Sequence, residues 1–278
     1  MEKTNIIWTE KTWNPVTGCQ RVSAGCKFCY AETIAERYKG NLAFPNGFEL
    51  TYRKHKLNDP YSWKENSFVF VNSMSDFFWD KISDQYRDQM LFVMADTPQH
   101  EYQLLTKRTE KAVEYFKTRK VPENVWIGAT VENQKSKYRI DDLRKIKASL
   151  RFLSVEPLLE DLGDLDLDGI HWAITGGESG NHLSKNHERS MVEKIGKELL
   201  PKKECVKWIE SIRKQCKSQK VSFFHKQWGG SYPEAAGRLL NGTTYNEMPR
   251  YPKGKESINN KYLIQLEEEL ANKKALVK

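Results

Sequence analysis

Three cysteines stand within eleven residues as Cys19-x6-Cys26-x2-Cys29, in the stretch Gly18-Cys19-Gln20-Arg21-Val22-Ser23-Ala24-Gly25-Cys26-Lys27-Phe28-Cys29-Tyr30. Thiolates are soft ligands, and Gly18 and Gly25 permit the positive-φ turns that wrap a loop around one metal centre. A structural zinc takes four protein ligands. No fourth cysteine is near, and the closest histidine in sequence is His55. Three thiolates without a fourth suit a [4Fe-4S] cluster with one open iron, able to chelate a substrate or cofactor. Zinc completed by a distant His or Asp, and unliganded cysteines, are the alternatives.

The chain has five cysteines. Cys205 and Cys216 fall on one face of an expected helix, about 16 Å apart at 1.5 Å per residue. They cannot pair with each other and are read as packing residues. An odd count is a poor disulfide framework, so a reduced cytoplasmic setting is expected, where cysteines more often mean metal or catalysis.

Other residues with chemical capacity follow short apolar runs. Asn72-Ser73-Met74-Ser75-Asp76 follows Phe68-Val69-Phe70-Val71, and Thr106-Lys107-Arg108 follows Tyr102-Gln103-Leu104-Leu105. Ala129-Thr130-Val131-Glu132 follows Val125 to Gly128, and Glu156-Pro157 follows Arg151 to Val155. Thr175-Gly176-Gly177-Glu178-Ser179-Gly180 follows His171 to Ile174, and His225-Lys226-Gln227-Trp228-Gly229-Gly230 follows Val221 to Phe224. Lys107 and Arg108 suit a phosphate or carboxylate, Arg as a fork and Lys as a point charge. Gly177, Glu178 and Ser179 lie in a turn whose N–H groups suit an anion. Trp228, beside Lys226 and Gln227, suits stacking on a base and bonding its edge, and it suits a place in the core equally well. Glu132, Glu156 and Glu178 suit general bases, the basis of a hydrolase or transferase reading with structural cysteines.

Those runs are apolar on both faces, as strands buried in a parallel sheet are. A seventh strand is expected near Trp13 to Val16. Helical patterns separate the runs at 84–95, 109–118, 136–148 and 206–219. Strand–helix alternation of this kind predicts an α/β chain, a complete or partial TIM-like (β/α)6–7 barrel whose site faces the C-terminal strand ends. Residues 1–230 are expected to form the barrel, with the cysteine loop at 18–30. Residues 231–278 are expected to form a C-terminal extension packed on it, ending in a charged helix over 258–275.

Composition narrows the class. No run approaches a membrane span, and the first eight residues lack the apolar core of a signal peptide. The formal charge is +8. That excess permits a nucleic-acid or phosphorylated partner, though a solvated surface explains it equally well.

The Cys-x-Phe-Cys end resembles the Cys-x-aromatic-Cys end of the radical S-adenosylmethionine (radical SAM) motif, whose usual first gap is three residues rather than six. The whole chain resembles the phage three-Cys-motif family, a radical-SAM-like group of phages and bacteria. The resemblance rests on Trp13 to Cys19, Gly25 to Glu32, Val71 to Asp76, Leu105 to Arg108, Gly128 to Gln134, Ser154 to Leu158, Gly176 to Gly180 and Lys226 to Gly229. It covers about residues 5 to 250. The stretch from Asn181 to Cys205 is longer than usual, and Thr109 stands where Pro is common.

The resemblance implies a barrel of the radical SAM type, with Cys19, Cys26 and Cys29 as cluster ligands. Phe28 takes the position beside the cofactor adenine. Ser73, Ser75 and Asp76 take the loop that binds the cofactor amino group, although the usual Gly-Gly-Glu is absent there. Thr130 and Glu132 take ribose or carboxylate contacts, and Glu156 follows on the next strand. A [4Fe-4S] cluster and S-adenosylmethionine are the implied cofactors, with a flavodoxin- or ferredoxin-like electron donor and no membrane. The expected activity is cleavage of the cofactor to start radical chemistry on a nucleotide or nucleic-acid base, a nucleotide modification in the cytoplasm of a bacterium or phage-infected host. The missing Gly-Gly-Glu and the longer cysteine gap motivate an alternative. In it the chain is a non-catalytic Fe-S or zinc-bearing protein that binds nucleic acid or a partner.

Overall fold

A computed structural model describes residues 4–180, 182–183 and 188–249. The expected helix over 258–275 lies outside the described residues, as does part of the long stretch from Asn181. Seven strands form one parallel sheet: β1 (Lys11–Trp13), β4 (Phe68–Val71), β5 (Glu101–Thr106), β6 (Val125–Thr130), β7 (Arg151–Val155), β8 (Trp172–Gly176) and β11 (Ser222–Gln227). They lie side by side in chain order, each parallel to the next. Successive crossovers therefore wind in one direction, which gives a partial (β/α) barrel rather than a doubly wound sheet. The helices are α1 (Tyr30–Arg37), α2 (Asp84–Asp96), α3 (Thr109–Phe116), α4 (Tyr138–Lys145) and α5 (Lys203–Ser218). Two short antiparallel pairs decorate the barrel: β2 (Val16–Thr17) with β3 (Thr51–Tyr52), and β9 (Val192–Ile195) with β10 (Glu198–Pro201).

Each of the six predicted runs forms a strand with ends within three residues of those expected, because both faces of the runs are buried. One alternating set, Phe68, Phe70, Trp126, Phe152, Trp172, Ile174 and Phe224, forms an inner core with Trp8 from the N-terminal segment. The other set, including Val69, Val71, Tyr102, Leu104, Ile127, Leu153 and Ala173, packs with the helices. Phe68 of β4 meets Trp126 of β6 at 5.3 Å, and Trp126 meets Trp172 of β8 at 6.1 Å. These contacts reach across an intervening strand, as they do on a concave sheet face. The inner core is thus an aromatic plug that fills the barrel interior.

The expected strand near Trp13 divides in two. Lys11–Trp13 joins the sheet beside β4, and Val16–Thr17 turns away to pair with β3. Pro15 between them supplies no N–H for a ladder. Beyond β11 the chain returns along the sheet edge. Phe224 bridges Asn246, and the Trp172 indole donates to the Glu247 carbonyl at 2.8 Å. This segment covers an edge that would otherwise present unpaired backbone groups. Among the described residues, no helix is long and apolar enough to cross a membrane.

His225, on β11, is fully buried with Nδ1 at 3.0 Å from the Thr175 hydroxyl. Burial, and then the nearby Arg238 charge, push its pKa down to about 3. The unfolded chain takes up that proton near pH 6.5. The stability contributed by neutral His225 is therefore complete above about pH 6.5 and is lost as pH falls toward 3. At pH 5 the loss amounts to about 2 kcal/mol. Urea midpoints at pH 7 and pH 5 check this. His225→Asn should flatten the difference, and an unchanged pH dependence in that variant would refute the assignment.

Candidate functional site

The cysteine loop begins at Gly18, directly after β2. Gly18 has φ of 94°, and a Cβ there would fall 2.3 Å from the Glu49 carbonyl oxygen. Only glycine meets both demands. The loop is then pinned to the turn after β4. Gly18 N–H donates to the Met74 carbonyl at 3.0 Å, and the Ser75 hydroxyl donates to the Gly18 carbonyl at 2.6 Å. A short 3-10 turn, Ala24–Cys26, carries the second cysteine, and Cys29 is the residue that caps α1. All three thiols are free and half-buried. The loop therefore sits at the end of the barrel where the parallel strands terminate.

Two consecutive residues after β5 face this loop with positive charge. Arg108 places Nη1 at 3.5 Å from Cys19 Sγ and 3.2 Å from Asp76 Oδ2, and Nη2 at 2.7 Å from the Gln20 carbonyl. Burial and then Asp76 push the Cys19 thiol up to about 11, against the opposing pull of Arg108. Burial acts in the same sense on Cys26. There the Lys107 charge and hydrogen bonds from Val22 and Ser23 outweigh it, and the thiol lies below its usual value. The pair read from sequence as a substrate anchor thus stands over the cysteines.

The residues expected at the cofactor amino group brace the loop. Both Asp76 oxygens accept from Thr106 Oγ1, at 2.8 and 3.0 Å, and the carboxylate also accepts from the N–H groups of Phe78 and Lys107. Ser73 Oγ bonds the Asn14 amide, and the Ser73 carbonyl accepts from the Tyr30 hydroxyl at 2.6 Å. Tyr30 is 51% exposed, yet its surroundings push the phenol well above its ordinary range, chiefly by desolvation and then by Cys29 and Glu156.

Across the barrel, Glu132 is fully buried. Its Oε2 accepts from Arg139 at 2.7 Å, and its Oε1 has no partner among the described residues. Gly25 of the cysteine loop lies against it, close enough that a Cβ would sit 3.4 Å from the Glu132 carboxyl carbon. Thr130 is buried beside it, its carbonyl accepting from the same Arg139. Glu156 pairs with Lys226 at 3.2 Å. Glu178 is held by a two-pronged bond from Arg189, at 2.8 and 2.7 Å, and by His182 at 3.3 Å. Arg189 also donates to the Ala24 carbonyl at 2.9 Å, and His182 stacks on Phe28 at 3.8 Å. The Gly-Gly-Glu turn therefore grips the cysteine loop from the far side.

Sequence reasoning missed Arg189 and Arg139 as parts of the site. Arg189 lies in the long stretch after Asn181, and no local spacing announces a partner as distant in the chain as Ala24. Gln227 bonds Ser179 at 2.8 Å, and Gly177 permits a backbone approach in which a Cβ would be 2.0 Å from the Trp228 carbonyl oxygen. Trp228 itself is 1% exposed. It donates from its indole to the Leu239 carbonyl and lies edge-on to His225 at 4.5 Å. The ring belongs to the core, so no base can stack on it as it stands. The predicted packing role of Cys205 and Cys216 matches their burial on α5 beside Ile209 and Ile212.

Among the described residues, no three His, Cys, Asp or Glu side chains already converge on a metal position. The three sulfurs share one loop without sharing a centre. The donor set nonetheless suits an iron–sulfur group: three free thiols, two adjacent cations and no fourth cysteine in reach. Two open clefts elsewhere, one around Trp63 and one around Tyr86, include none of these residues.

Residues 3–249 match the sequence profile of a family described as a protein of unknown function, DUF5131. No curated protein sequence matches the chain. Among solved structures, the chain is similar to spore photoproduct lyase complexed with dinucleoside spore photoproduct, at a TM-score of 0.41 and 12% identity, covering 77% of this chain and 75% of that one. A mutant of that lyase matches at a TM-score of 0.43 and 11% identity, with the same coverage.

Proposed function

We propose, for a chain that belongs to the DUF5131 family, a radical S-adenosylmethionine enzyme with its cysteine loop as the cluster site. Its substrate would be a nucleotide or nucleic-acid base. Cys19, Cys26 and Cys29 would hold a [4Fe-4S] cluster and leave one iron for the cofactor. The observation that carries this reading is the placement of three free thiols at the C-terminal mouth of a partial parallel barrel, with Arg108 against Cys19 and Lys107 acting on Cys26. Held by the thiolates of Cys19, Cys26 and Cys29, such a group would supply the one-electron reduction that S-adenosylmethionine cleavage requires.

The chain's own residues would position this chemistry and exclude water from it. Ser73, Ser75 and Asp76 hold the cysteine loop on the β4 and β5 turns, so the thiols are presented from a braced backbone. Glu132 Oε1, buried beside Gly25, would take a hydroxyl or ammonium donor, and Thr130 lies next to it. Glu156, paired with Lys226, and Glu178, paired with Arg189, would line the substrate side of the mouth. Their paired charges limit stray proton transfer while keeping donors available to a polar ligand. The aromatic plug closes the interior below, so the mouth is a dead end and a reactive species formed there would meet only what the mouth admits. The +8 charge favours a phosphate-bearing substrate over a cationic one. The electron would come from an external flavodoxin- or ferredoxin-like donor.

The test is anaerobic reconstitution with iron and sulfide, then dithionite and S-adenosylmethionine. The expected result is release of 5′-deoxyadenosine. A protein that holds a reducible cluster yet neither binds nor cleaves the cofactor would sink the reading. The missing Gly-Gly-Glu and the longer cysteine gap motivate one competitor, a non-catalytic zinc- or cluster-bearing binding protein. Stoichiometric zinc without sulfide, with salt-dependent nucleic-acid binding, would establish that competitor instead.

A further inference from the structure

We infer that Arg108 sets the reduction potential of the cluster through the sulfur of Cys19, and that Asp76 is the residue that positions it. The inference rests on the cluster reading above.

The geometry is specific. The Arg108 side chain is 9% exposed, and its guanidinium touches two consecutive parts of the cysteine loop. Nη2 holds the Gln20 carbonyl at 2.7 Å while Nη1 reaches Cys19 Sγ at 3.5 Å. The planar fork fixes those two directions together, which a lysine ammonium does not do. Asp76 completes the hold at 3.2 Å from Nη1. Asp76 is itself immobilised by Thr106, whose hydroxyl also accepts from the Arg108 N–H at 2.8 Å. Turn, carboxylate and guanidinium thus form one closed set of hydrogen bonds with the sulfur at its tip.

A thiolate-ligated cluster gains negative charge when it takes an electron. Hydrogen bonds to the ligand sulfurs, and fixed positive charge beside them, stabilise the reduced state more than the oxidised one. Arginine stays protonated at any working pH, so this contribution is permanent. Its partial burial leaves little water to screen it. A substrate phosphate would have to displace Asp76, Gln20 and Cys19 together to recruit this guanidinium. The contact therefore serves the cluster and not the substrate.

The experiment is a redox titration of the reconstituted protein without S-adenosylmethionine, followed by electron paramagnetic resonance of the reduced cluster. Arg108→Gln should load iron and sulfide as the unaltered chain does. At a fixed applied potential its ratio of reduced to oxidised cluster should fall roughly tenfold, equivalent to about 59 mV for one electron. Arg108→Lys, which keeps the charge and loses the fork, should fall by less. Normal loading with an unshifted potential in Arg108→Gln would overturn the inference. If Arg108→Gln fails to load, Arg108→Lys decides it, and a potential equal to that of the unaltered chain overturns it. An unaltered chain that takes up no cluster overturns the cluster reading itself, so the two failures are distinguishable.

Discussion

Replacing Cys26 with alanine is expected to abolish the iron–sulfide absorption of the anaerobically reconstituted protein and, with it, any release of 5′-deoxyadenosine. Cys26 occupies the middle of the Cys19-x6-Cys26-x2-Cys29 set, on the 3-10 turn that carries the loop into the barrel mouth. Its thiol is held below its usual value by Lys107 and its hydrogen bonds, which burial opposes. That makes it readier than Cys19, whose thiol burial and Asp76 hold up, to bind metal as a thiolate. Two thiols cannot do the work of three, so iron and sulfide content should fall to background, with the same result for Cys19→Ala and Cys29→Ala. Cys205→Ala and Cys216→Ala are the internal controls. Burial holds both of those thiols up, to about 11 and about 12, and they pack among α5 aliphatics away from the loop. Full iron and sulfide in the Cys26→Ala chain would remove Cys26 from the site.

Trp172→Ala should destabilise the whole chain by about 3–5 kcal/mol, the range for emptying a large aromatic from a core. Trp172 is fully buried at the centre of the plug, with Trp8, Trp126, Phe152 and Phe224 around it at 5.8 to 6.2 Å. Its indole also ties the returning edge segment by donating to the Glu247 carbonyl. Alanine would leave a cavity between strands that no single neighbour can fill, and it would release the segment that covers the β11 edge. Melting should drop on the order of 10 °C, read together with the urea midpoint. Tyr232→Ala, at an exposed position, should stay within about 0.5 kcal/mol. A loss below about 1 kcal/mol at Trp172 would show that the plug is not what holds the barrel together.

Both outcomes depend on features of different legibility. The strands of the sheet were readable because parallel strands are apolar on both faces, and Phe68 to Val71 or Arg151 to Val155 look like nothing else. The helices came from the same alternation. The hairpin of β9 and β10 was not readable. Its strands, Val192–Ile195 and Glu198–Pro201, are largely exposed and carry charges, so they show neither a buried run nor a clean period of two. α1 was hidden for a related reason. It buries only Ala31 and Ala35, too narrow a stripe to register as amphipathic.

The sequence by itself determined the donor set and its neighbourhood. Three thiols at fixed spacing, Gly18 where the loop must turn, and polar residues after each apolar run are local facts, and local facts survive in one dimension; Gly25, expected at a second such turn, sits instead within the 3-10 turn. Only the tertiary structure decided which groups face one another. Lys107 and Arg108 read as a substrate anchor until the barrel turned them onto Cys26 and Cys19. Trp228 suited a stacking surface and the core equally until the segment after β11 enclosed it. Arg189 had no legible role until the fold brought it to Glu178 and the Ala24 carbonyl, to both of which it donates. The physical reason is the same in each case. A charge or a ring acquires its role from the field and space around it, and strands far apart in the chain build that surrounding only when they curl side by side.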